Sequence, residues 1–409
     1  MRHFGLTSRA ALPRPVPRGI ARSGPAILSY GFRPFFLLAS VFAAFDMVLW
    51  IGALSGTWSV GGAAGPIAWH AHEMLFGYGA AALCGFVLTA VPNWTGRLPV
   101  SGTPLLGLVV VWFVGRVAML SPATLGELAS ALADAIFLPA LAFVVAREVV
   151  AGKNWPNLRV ALGISTLAGL NIWFHIASLT GLDIATVFRA TVALFVLLVT
   201  LIGGRIVPSF TRNFLARRNL LDMPRTAGAV DRAALGLTLV AGIVWTIAPQ
   251  SWGTIALASA ASVANFVRLG GWRGQHTLDE PLLAFMHVAY AFVGLGWFAV
   301  AASAIGWISE ASAFHVFTVG AIGMMTLAVM TRASRGHTGR PLTASLMTTL
   351  SYFALFAVAV LRPLAEFAPA HYHEILALSA IAWIGAFVMF VVEHAPMLLG
   401  PSLTKQRTR

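Results

Sequence analysis

Histidine is the side chain in this sequence with the clearest capacity for chemistry. Six of the eleven histidines fall within long apolar stretches, where ionisable groups are costly and are therefore candidates for function. Imidazole nitrogen binds haem iron and copper, so several inward-facing histidines in a helix bundle could hold a redox centre. A single such histidine is more often a hydrogen-bonded structural residue. The six are His70, His72, His175, His287, His315 and His394.

Charged side chains accompany these histidines in the same stretches. Arg33 and Arg205 are candidates for binding haem propionates, although a guanidinium near the end of a span also reaches water by extending its side chain. Asp46 and Asp134 favour either a proton relay or an ion pair with a neighbouring arginine. The arginines available to them are Arg116 and Arg189.

Composition dictates the kind of element that positions these residues. Of the 409 residues, 58% are hydrophobic and only 10% are charged, with a mean hydropathy of +0.82. A soluble domain carries roughly a quarter charged residues, so lipid rather than water must cover this chain. The single cysteine, Cys84, excludes an intrachain disulfide framework and a cysteine-only metal site. The net charge of +13 fits basic loops on one membrane face, and no nucleic-acid motif accompanies it.

Hydropathy predicts an all-α, polytopic transmembrane helical bundle of about twelve spans. A span requires about 20 predominantly apolar residues. The predicted organisation is a basic N-terminal arm at 1–25, a single transmembrane domain at 26–398 and a basic tail at 399–409. The count permits a six-plus-six arrangement around the basic loop near 209–227, although the halves share no evident motif. The predicted spans are 26–55, 66–92, 103–122, 125–150, 156–180, 184–208, 228–247, 250–268, 281–304, 312–332, 341–362 and 373–398.

Charge asymmetry orients the predicted bundle. With a cytoplasmic N-terminus, the connections after even-numbered spans and the C-terminus are cytoplasmic as well, and these segments hold nearly all the loop Lys and Arg. The positive-inside rule therefore predicts that both termini are cytoplasmic. The opposite connections carry the acids Glu127, Asp183, Glu310 and Glu366.

Span direction sorts the histidines into two depths. The outer group, which is the candidate for binding metal or haem, comprises His70, His72, His175 and His315. The inner group comprises His287, His337 and His394, of which His287 and His337 are the candidates for a second centre. Four histidines from three spans at one depth favour a metal or haem site over isolated structural roles.

Spacing restricts the geometry of the outer group. On a regular helix His70 and Glu73 share a face, and His72 points away from it. His70 and His72 therefore serve different centres unless the helix begins only after them. Asn171 lies one turn before His175 and is placed to orient its ring.

Several strings of the sequence resemble the NnrS family. They include Gly31-Phe-Arg-Pro-Phe-Phe36, Trp69-His-Ala-His-Glu-Met74 and Gly336-His-Thr-Gly-Arg340. The similarity extends from about residue 26 to 398, and the last two strings together are its most specific part. The resemblance implies a twelve-span, haem- and copper-containing protein of the bacterial inner membrane, linked to nitric oxide metabolism, denitrification and nitrosative-stress resistance. It also implies that the motif histidines are the ligands.

Three functions stay open at this point. The first is binding or redox conversion of nitric oxide at haem b and copper, since no Cys-x-x-Cys-His string indicates covalent c-type haem. An oxidoreductase of this kind requires an electron donor that the sequence does not identify. The second function is transport of a metal, haem or small anion, and the third is a sensor or assembly factor without turnover. The expected partners are the lipid bilayer and nitric oxide, and not nucleic acid.

Overall fold

The computed structural model of the chain describes residues 24–225 and 228–403, and every regular element within them is a helix. Nearly all of the predicted basic arm at 1–25 lies outside the described residues, as does the end of the tail at 399–409. The cytoplasmic location of both ends stays a prediction. The inner side of the bundle is the side on which the connections after even-numbered helices lie.

Twelve long helical segments occur within the described residues, and each overlaps one predicted span. Apolar runs of this length form helices in lipid because a helix satisfies its own backbone hydrogen bonds. The segments are α1 (Phe32–Leu54), α2 (Gly62–Thr95), α3 (Thr103–Leu120), α4 (Glu127–Ala151), α5 (Trp155–Thr180), α6 (Ile184–Arg217), α7 (Ala229–Ile247), α8 (Trp252–Gly270), α9 (Pro281–Ala304), α10 (Glu310–His337), α11 (Leu346–Phe367) and α12 (Pro369–Leu399).

Eleven of these segments, all except α8, are long and apolar enough to cross a membrane. The polar residues of α8 are turned toward protein. Asn265 of α8 donates from Nδ2 to Thr238 Oγ1 of α7 at 3.1 Å and accepts from the Tyr290 hydroxyl of α9 at 2.8 Å. Neighbouring helices therefore supply hydrogen-bond partners for this polar side chain of α8. Hydropathy by itself supports eleven spans rather than twelve.

Two helices contain a π-helical segment directly after a histidine. In α2 the π segment Glu73–Gly79 follows His72, and in α10 the π segment Val316–Gly323 follows His315. A Thr-Gly-Arg string follows in both cases, and its distance along the sequence from the histidine is the same in α2 and in α10. The glycines of these strings, Gly96 and Gly339, both have positive φ, at 65° and 77°. Segments of π-helix inside α-helices occur frequently at functional sites.

The helix midway between them, α6, carries a related terminal string. Val-Pro-Ser-Phe-Thr-Arg spans 207–212 of α6, and Val-Pro-Asn-Trp-Thr-Gly-Arg spans 91–97 of α2. Pro92 and Pro208 lie inside their helices at the same place in these strings. Related helices thus recur every four helices, at α2, α6 and α10. This spacing argues against the six-plus-six arrangement, which would relate α2 to α8.

The centre of the bundle is formed largely by the helices that carry the candidate histidines. The most apolar window of α2 is 83% buried and that of α10 is 67% buried, compared with 28% for α1. Because α2 and α10 are shielded by protein while α1 faces outward, their polar side chains contact protein groups rather than lipid. Two cavities lie between α2, α6 and α10.

Candidate metal centre and buried polar network

A buried cluster between α2, α4 and α5 brings together three residues with metal-ligand chemistry. His72, Asp134 and His175 each offer one ligand atom, and these atoms all lie within 4.8 Å of one another. Asp134 Oδ2 is 2.8 Å from His175 Nε2 and 3.3 Å from His72 Nε2. All three side chains are buried. Two imidazoles and one carboxylate form a donor set that suits a first-row transition metal.

Hydrogen bonds fix the orientation of His72 within this cluster. Its Nδ1 lies 2.8 Å from Glu73 Oε1, and its Nε2 lies 2.9 Å from Asn171 Oδ1. Asn171 also donates from Nδ2 to Asp134 Oδ2 at 2.8 Å. Asn171 therefore positions His72 and Asp134, rather than the ring of His175 that the sequence predicts as its partner. Contacts of this kind set the orientation and basicity of a ligand imidazole.

Arg116 of α3 supplies positive charge to the cluster. Its Nη1 donates to Glu73 Oε1 at 2.5 Å, and its Nη2 forms an ion pair with Asp134 Oδ1. Asp134 thus has one of the two arginine partners that the sequence predicts. Two carboxylates face one guanidinium, and Glu73 Oε2 is buried without a hydrogen-bond partner among the described residues. The charge balance therefore favours one further cation in the cluster.

The π segment of α2 explains why Glu73 belongs to this network. A regular helix would place Glu73 on the face of His70, whereas in the structure Glu73 bonds to its neighbour His72. Within the same segment Gly77 allows Arg116 to approach closely. A Cβ atom at Gly77 would lie 2.8 Å from Arg116 Nη1 and 2.7 Å from Phe42 Cε1. The π-helical backbone and the absence of a side chain at Gly77 together leave room for the Arg116 guanidinium in the cluster.

The structure divides the predicted outer group of four histidines. Only His72 and His175 share the metal-ligand cluster. On the other side of α2, His70 Nδ1 bonds to Asp46 Oδ2 at 2.9 Å, and its ring stacks on Trp50 with centroids 4.6 Å apart. His70 and His72 therefore face different surroundings, as their spacing predicts.

His315 of α10 lies near His70 rather than near the cluster. Its Nδ1 donates to the Ala311 carbonyl oxygen at 2.6 Å. It lies close enough to His70 and to Arg362 for their charges to interact with it. His315 thus lies outside the cluster of His72, Asp134 and His175.

The inner histidines occupy different environments. His287 of α9 donates from Nδ1 to the Leu283 carbonyl oxygen at 3.0 Å, and its Nε2 lies 3.2 Å from Thr211 Oγ1. Both ring nitrogens therefore have protein partners, and His287 is not part of the metal-ligand cluster. His337 packs against the Phe32 ring with centroids 5.5 Å apart and lines the larger cavity. The structure does not bring His287 and His337 together among the residues it describes.

The two arginines predicted to bind propionates also differ. Arg33 closes the end of α12 against the start of α1, because its Nη1 donates to three carbonyl oxygens there. Arg205 of α6 donates from Nη1 to Asn157 Oδ1 at 3.2 Å and lines the larger cavity. Arg33 is thus occupied by the chain itself, whereas Arg205 faces space for a ligand. The acceptors of Arg33 are the carbonyls of Met397, Leu398 and Gly400.

Two functional roles do not emerge from the sequence. It does not identify Asp134 as part of a metal site, and it does not place Arg332 at a cavity. For both residues the sequence offers one indication. A charge in an apolar helix is costly, so the charged side chain requires a partner or a ligand. The identity of that partner depends on how α4 and α10 pack, which hydropathy does not determine.

Apolar helices around a buried histidine–carboxylate cluster define a polytopic helical membrane protein with a candidate metal centre. The family model described as NnrS protein matches residues 26–402, nearly the whole chain. The chain therefore belongs to the NnrS family, as its motifs predict. No curated protein matches the sequence. Membership links the chain to nitric oxide-related processes.

Proposed function

We propose that this protein binds or converts nitric oxide at histidine-ligated haem b and copper in the bacterial inner membrane, in nitric oxide metabolism or nitrosative-stress resistance. Family membership supports the link to nitric oxide, and the apolar helices support a bilayer location. Nitric oxide is a small, nearly apolar gas, so it reaches a buried centre through lipid. The observation that carries the proposal is the convergence of His72, Asp134 and His175 in one buried cluster.

The cluster fits a copper ion. Imidazole nitrogen is a good ligand for copper, and two imidazoles with one carboxylate provide three donors. The carboxylates of Glu73 and Asp134 outnumber the guanidinium of Arg116, and a bound cation offsets the remaining negative charge, which lipid does not solvate. Copper bound there supplies one-electron redox chemistry. Glu73 orients the His72 ring through Nδ1, so Nε2, which faces Asn171 Oδ1 and Asp134, is the atom that would bind the metal. Burial excludes water from the three donor side chains.

Haem b requires an imidazole with a nitrogen available to iron. In His70 and His315, Nδ1 already has an oxygen acceptor, which sets the tautomer whose Nε2 carries a lone pair. No group of the described residues engages Nε2 of either ring. Haem held through such a ring supplies an iron atom that binds nitric oxide. Asp46 and the Ala311 carbonyl then act by orienting the two imidazoles.

Metal analysis of the purified protein tests the copper centre. We expect protein produced with added copper to contain about one copper per chain in this cluster, seen by elemental analysis and by electron paramagnetic resonance. His175→Ala and Asp134→Asn should lose most of that copper. His373→Ala is the matched control, because His373 is exposed and lies outside the cluster. Full copper content in both cluster variants would contradict the assignment.

Turnover is a separate question from binding. A nitric oxide electrode, with the reduced protein in the chamber, distinguishes the two. Uptake that stops at a fixed ratio to protein identifies a binding protein or sensor. Consumption that continues while a reductant is supplied identifies an oxidoreductase.

A further inference from the structure

Arginine side chains tie together the inner ends of α1, α10 and α12. Arg33, in the first turn of α1, donates from Nη1 to the Gly400 carbonyl oxygen, just past the end of α12, at 2.6 Å. Arg335, near the end of α10, forms an ion pair with Glu393 of α12. The three helix ends therefore meet at one place on the inner side of the bundle.

A sharp turn after α10 brings Arg340 to the same place. The helix ends at His337, and Gly339 has a φ of 77°, a left-handed conformation that lets the chain reverse. The Arg340 amide then donates to the Arg335 carbonyl oxygen at 2.9 Å. Arg340 lies close enough to Arg33 and to Arg335 for their positive charges to interact with it. Arg33, Arg335 and Arg340 thus form an inner basic cluster.

The inner basic cluster carries more positive than negative charge. Its paired carboxylate, Glu393, is bound to Arg335 and also accepts hydrogen bonds from two hydroxyl groups. In the described part of the chain, no carboxylate lies within salt-bridge distance of Arg33 or Arg340, and a buried nitrogen of each has no hydrogen-bond partner. Burial lowers the pKa of Arg340, and the charge of Arg335 lowers it further. The uncompensated charge therefore favours a bound anion.

Buried polar atoms without a partner flank the Arg335–Glu393 ion pair. Ser334 precedes Arg335, His394 follows Glu393, and both side chains are completely buried. Within the described residues, Ser334 Oγ and His394 Nε2 have no hydrogen-bond partner, and the same holds for Arg340 Nη1. Because buried polar groups are normally hydrogen-bonded, such atoms indicate a ligand or ordered water. Water would satisfy the serine and the imidazole, but it would leave the excess positive charge uncompensated.

We propose that the inner basic cluster binds a phosphate group, either in the headgroup of an anionic phospholipid or as free phosphate. Guanidiniums form charge-assisted hydrogen bonds with phosphate, whose several oxygens can accept from more than one arginine. Basic pockets between transmembrane helices on the cytoplasmic side are known sites for lipid headgroups, and the inner side is predicted to be cytoplasmic. Nη1 of Arg33 stays with the carbonyls of α12, so Arg33 contributes its charge, whereas Arg340 is the principal donor. The site is separate from the metal-ligand cluster and requires neither copper nor haem.

Binding of phosphatidylglycerol and of inorganic phosphate to the full-length protein tests the proposal. Native mass spectrometry of the protein in a neutral detergent compares retention of added phosphatidylglycerol with that of phosphatidylcholine, whose choline cation the arginines repel. Calorimetric titration with sodium phosphate forms the second arm. Selective retention of phosphatidylglycerol without phosphate binding identifies a headgroup site, and saturable phosphate binding identifies a site for the free anion. Either result supports the proposal, and failure of both ligands to bind overturns it.

Variants of Arg340 assign the binding to the cluster. Arg340→Gln should weaken binding of the phosphate ligand by about tenfold, as expected for one lost charge-assisted hydrogen bond. Arg159→Gln is the matched control and should bind like the wild type, because Arg159 is an exposed arginine near the inner end of α5 and lies outside the cluster. Unchanged affinity in Arg340→Gln, or an equal loss in Arg159→Gln, would contradict the assignment.

Thermal unfolding without added ligand shows whether each variant is folded. If Arg340→Gln does not fold, the comparison of Arg340→Lys with Arg159→Lys replaces it. Lysine keeps the charge but not the fork of donors, so Arg340→Lys should bind the phosphate ligand more weakly than Arg159→Lys does. Equal binding by these two lysine variants would overturn the proposal.

Discussion

At the scale of single residues, Arg116 has the largest expected effect on stability. It is buried and contacts both Glu73 and Asp134. Replacing Arg116 with Met leaves two carboxylates without compensation in a medium of low dielectric constant. We expect Arg116→Met to lower the free energy of unfolding by about 3–5 kcal/mol, the usual cost of breaking a buried ion pair. Denaturant unfolding of the purified protein measures this change.

A surface arginine provides the control for that experiment. Arg147 is about half exposed and bonds to Glu148 at 2.9 Å. Because solvent reaches Arg147 and Arg97 still pairs with the buried Glu148, Arg147→Gln should cost only about 0–1 kcal/mol. If Arg116→Met costs no more than Arg147→Gln, then Arg116 does not compensate the two buried acids.

His287 should behave as a structural residue despite its position in an apolar helix. Leu283 and Thr211 engage its two ring nitrogens, and His287 lies outside the group of metal-ligand side chains formed by His72, Asp134 and His175. We expect His287→Ala to lower stability by about 1–3 kcal/mol through the groups it leaves unpaired. Copper content should not change, in contrast to His175→Ala. Loss of metal in His287→Ala at unchanged fold would restore His287 as a ligand candidate.

The sequence identifies which residue types matter but not how they pair. Histidines in apolar helices are conspicuous, and the opposite directions of His70 and His72 follow from helical spacing. The partners of His72 could not be predicted in this way. They come from α4 and α5, and their meeting depends on the packing of side chains that hydropathy treats as equivalent.

At the scale of elements, the close approach of Arg116 of α3 to the π segment of α2 depends on Gly77. Alanine at this position would place its Cβ 2.8 Å from Arg116 Nη1. The guanidinium must then move away from Glu73, so we expect Gly77→Ala to weaken copper binding and to lower thermal stability. In an ordinary helix the same change favours folding by up to about 1 kcal/mol. Copper titration and thermal unfolding together report both effects.

Gly107 of α3 is the matched control for Gly77. A Cβ atom there would have no neighbour within 4 Å. Gly107→Ala should therefore leave copper binding unchanged and keep or slightly raise stability. The same result for Gly77→Ala would mean that close approach of Arg116 is not required.

Helix positions were largely predictable, because a run of apolar residues long enough to span lipid has few other structures open to it. Each of the twelve predicted spans corresponds to a helix, although α8 is less apolar than the rest. The π segments were not predictable, since the spacing rule assumes 3.6 residues per turn throughout. That assumption is why the sequence assigns Glu73 to the face of His70.

At the scale of the whole molecule, the related helices α2, α6 and α10 all line the larger cavity. At its other end, α2 carries His72 of the metal-ligand cluster. A central helix that is mostly buried can thus contribute a ligand near one face and a cavity wall near the other. Hydropathy does not indicate this recurrence, because the shared strings are short and lie eight helices apart in the clearest case.

The predicted orientation places the larger cavity, between α2, α6 and α10, on the cytoplasmic side of the bundle, and cysteine labelling tests this. Leu182 and Leu221 are exposed in the connections before and after α6. The basic residues after α6 predict that Leu221 is cytoplasmic and Leu182 periplasmic. With a membrane-impermeant maleimide on cells whose outer membrane has been opened, Leu182→Cys should be labelled and Leu221→Cys should not. Native Cys84 is buried and contributes little background. Both variants should react after the inner membrane is also permeabilised, and the opposite pattern in intact cells would place the larger cavity, with Arg205 and its positive charge, on the periplasmic side.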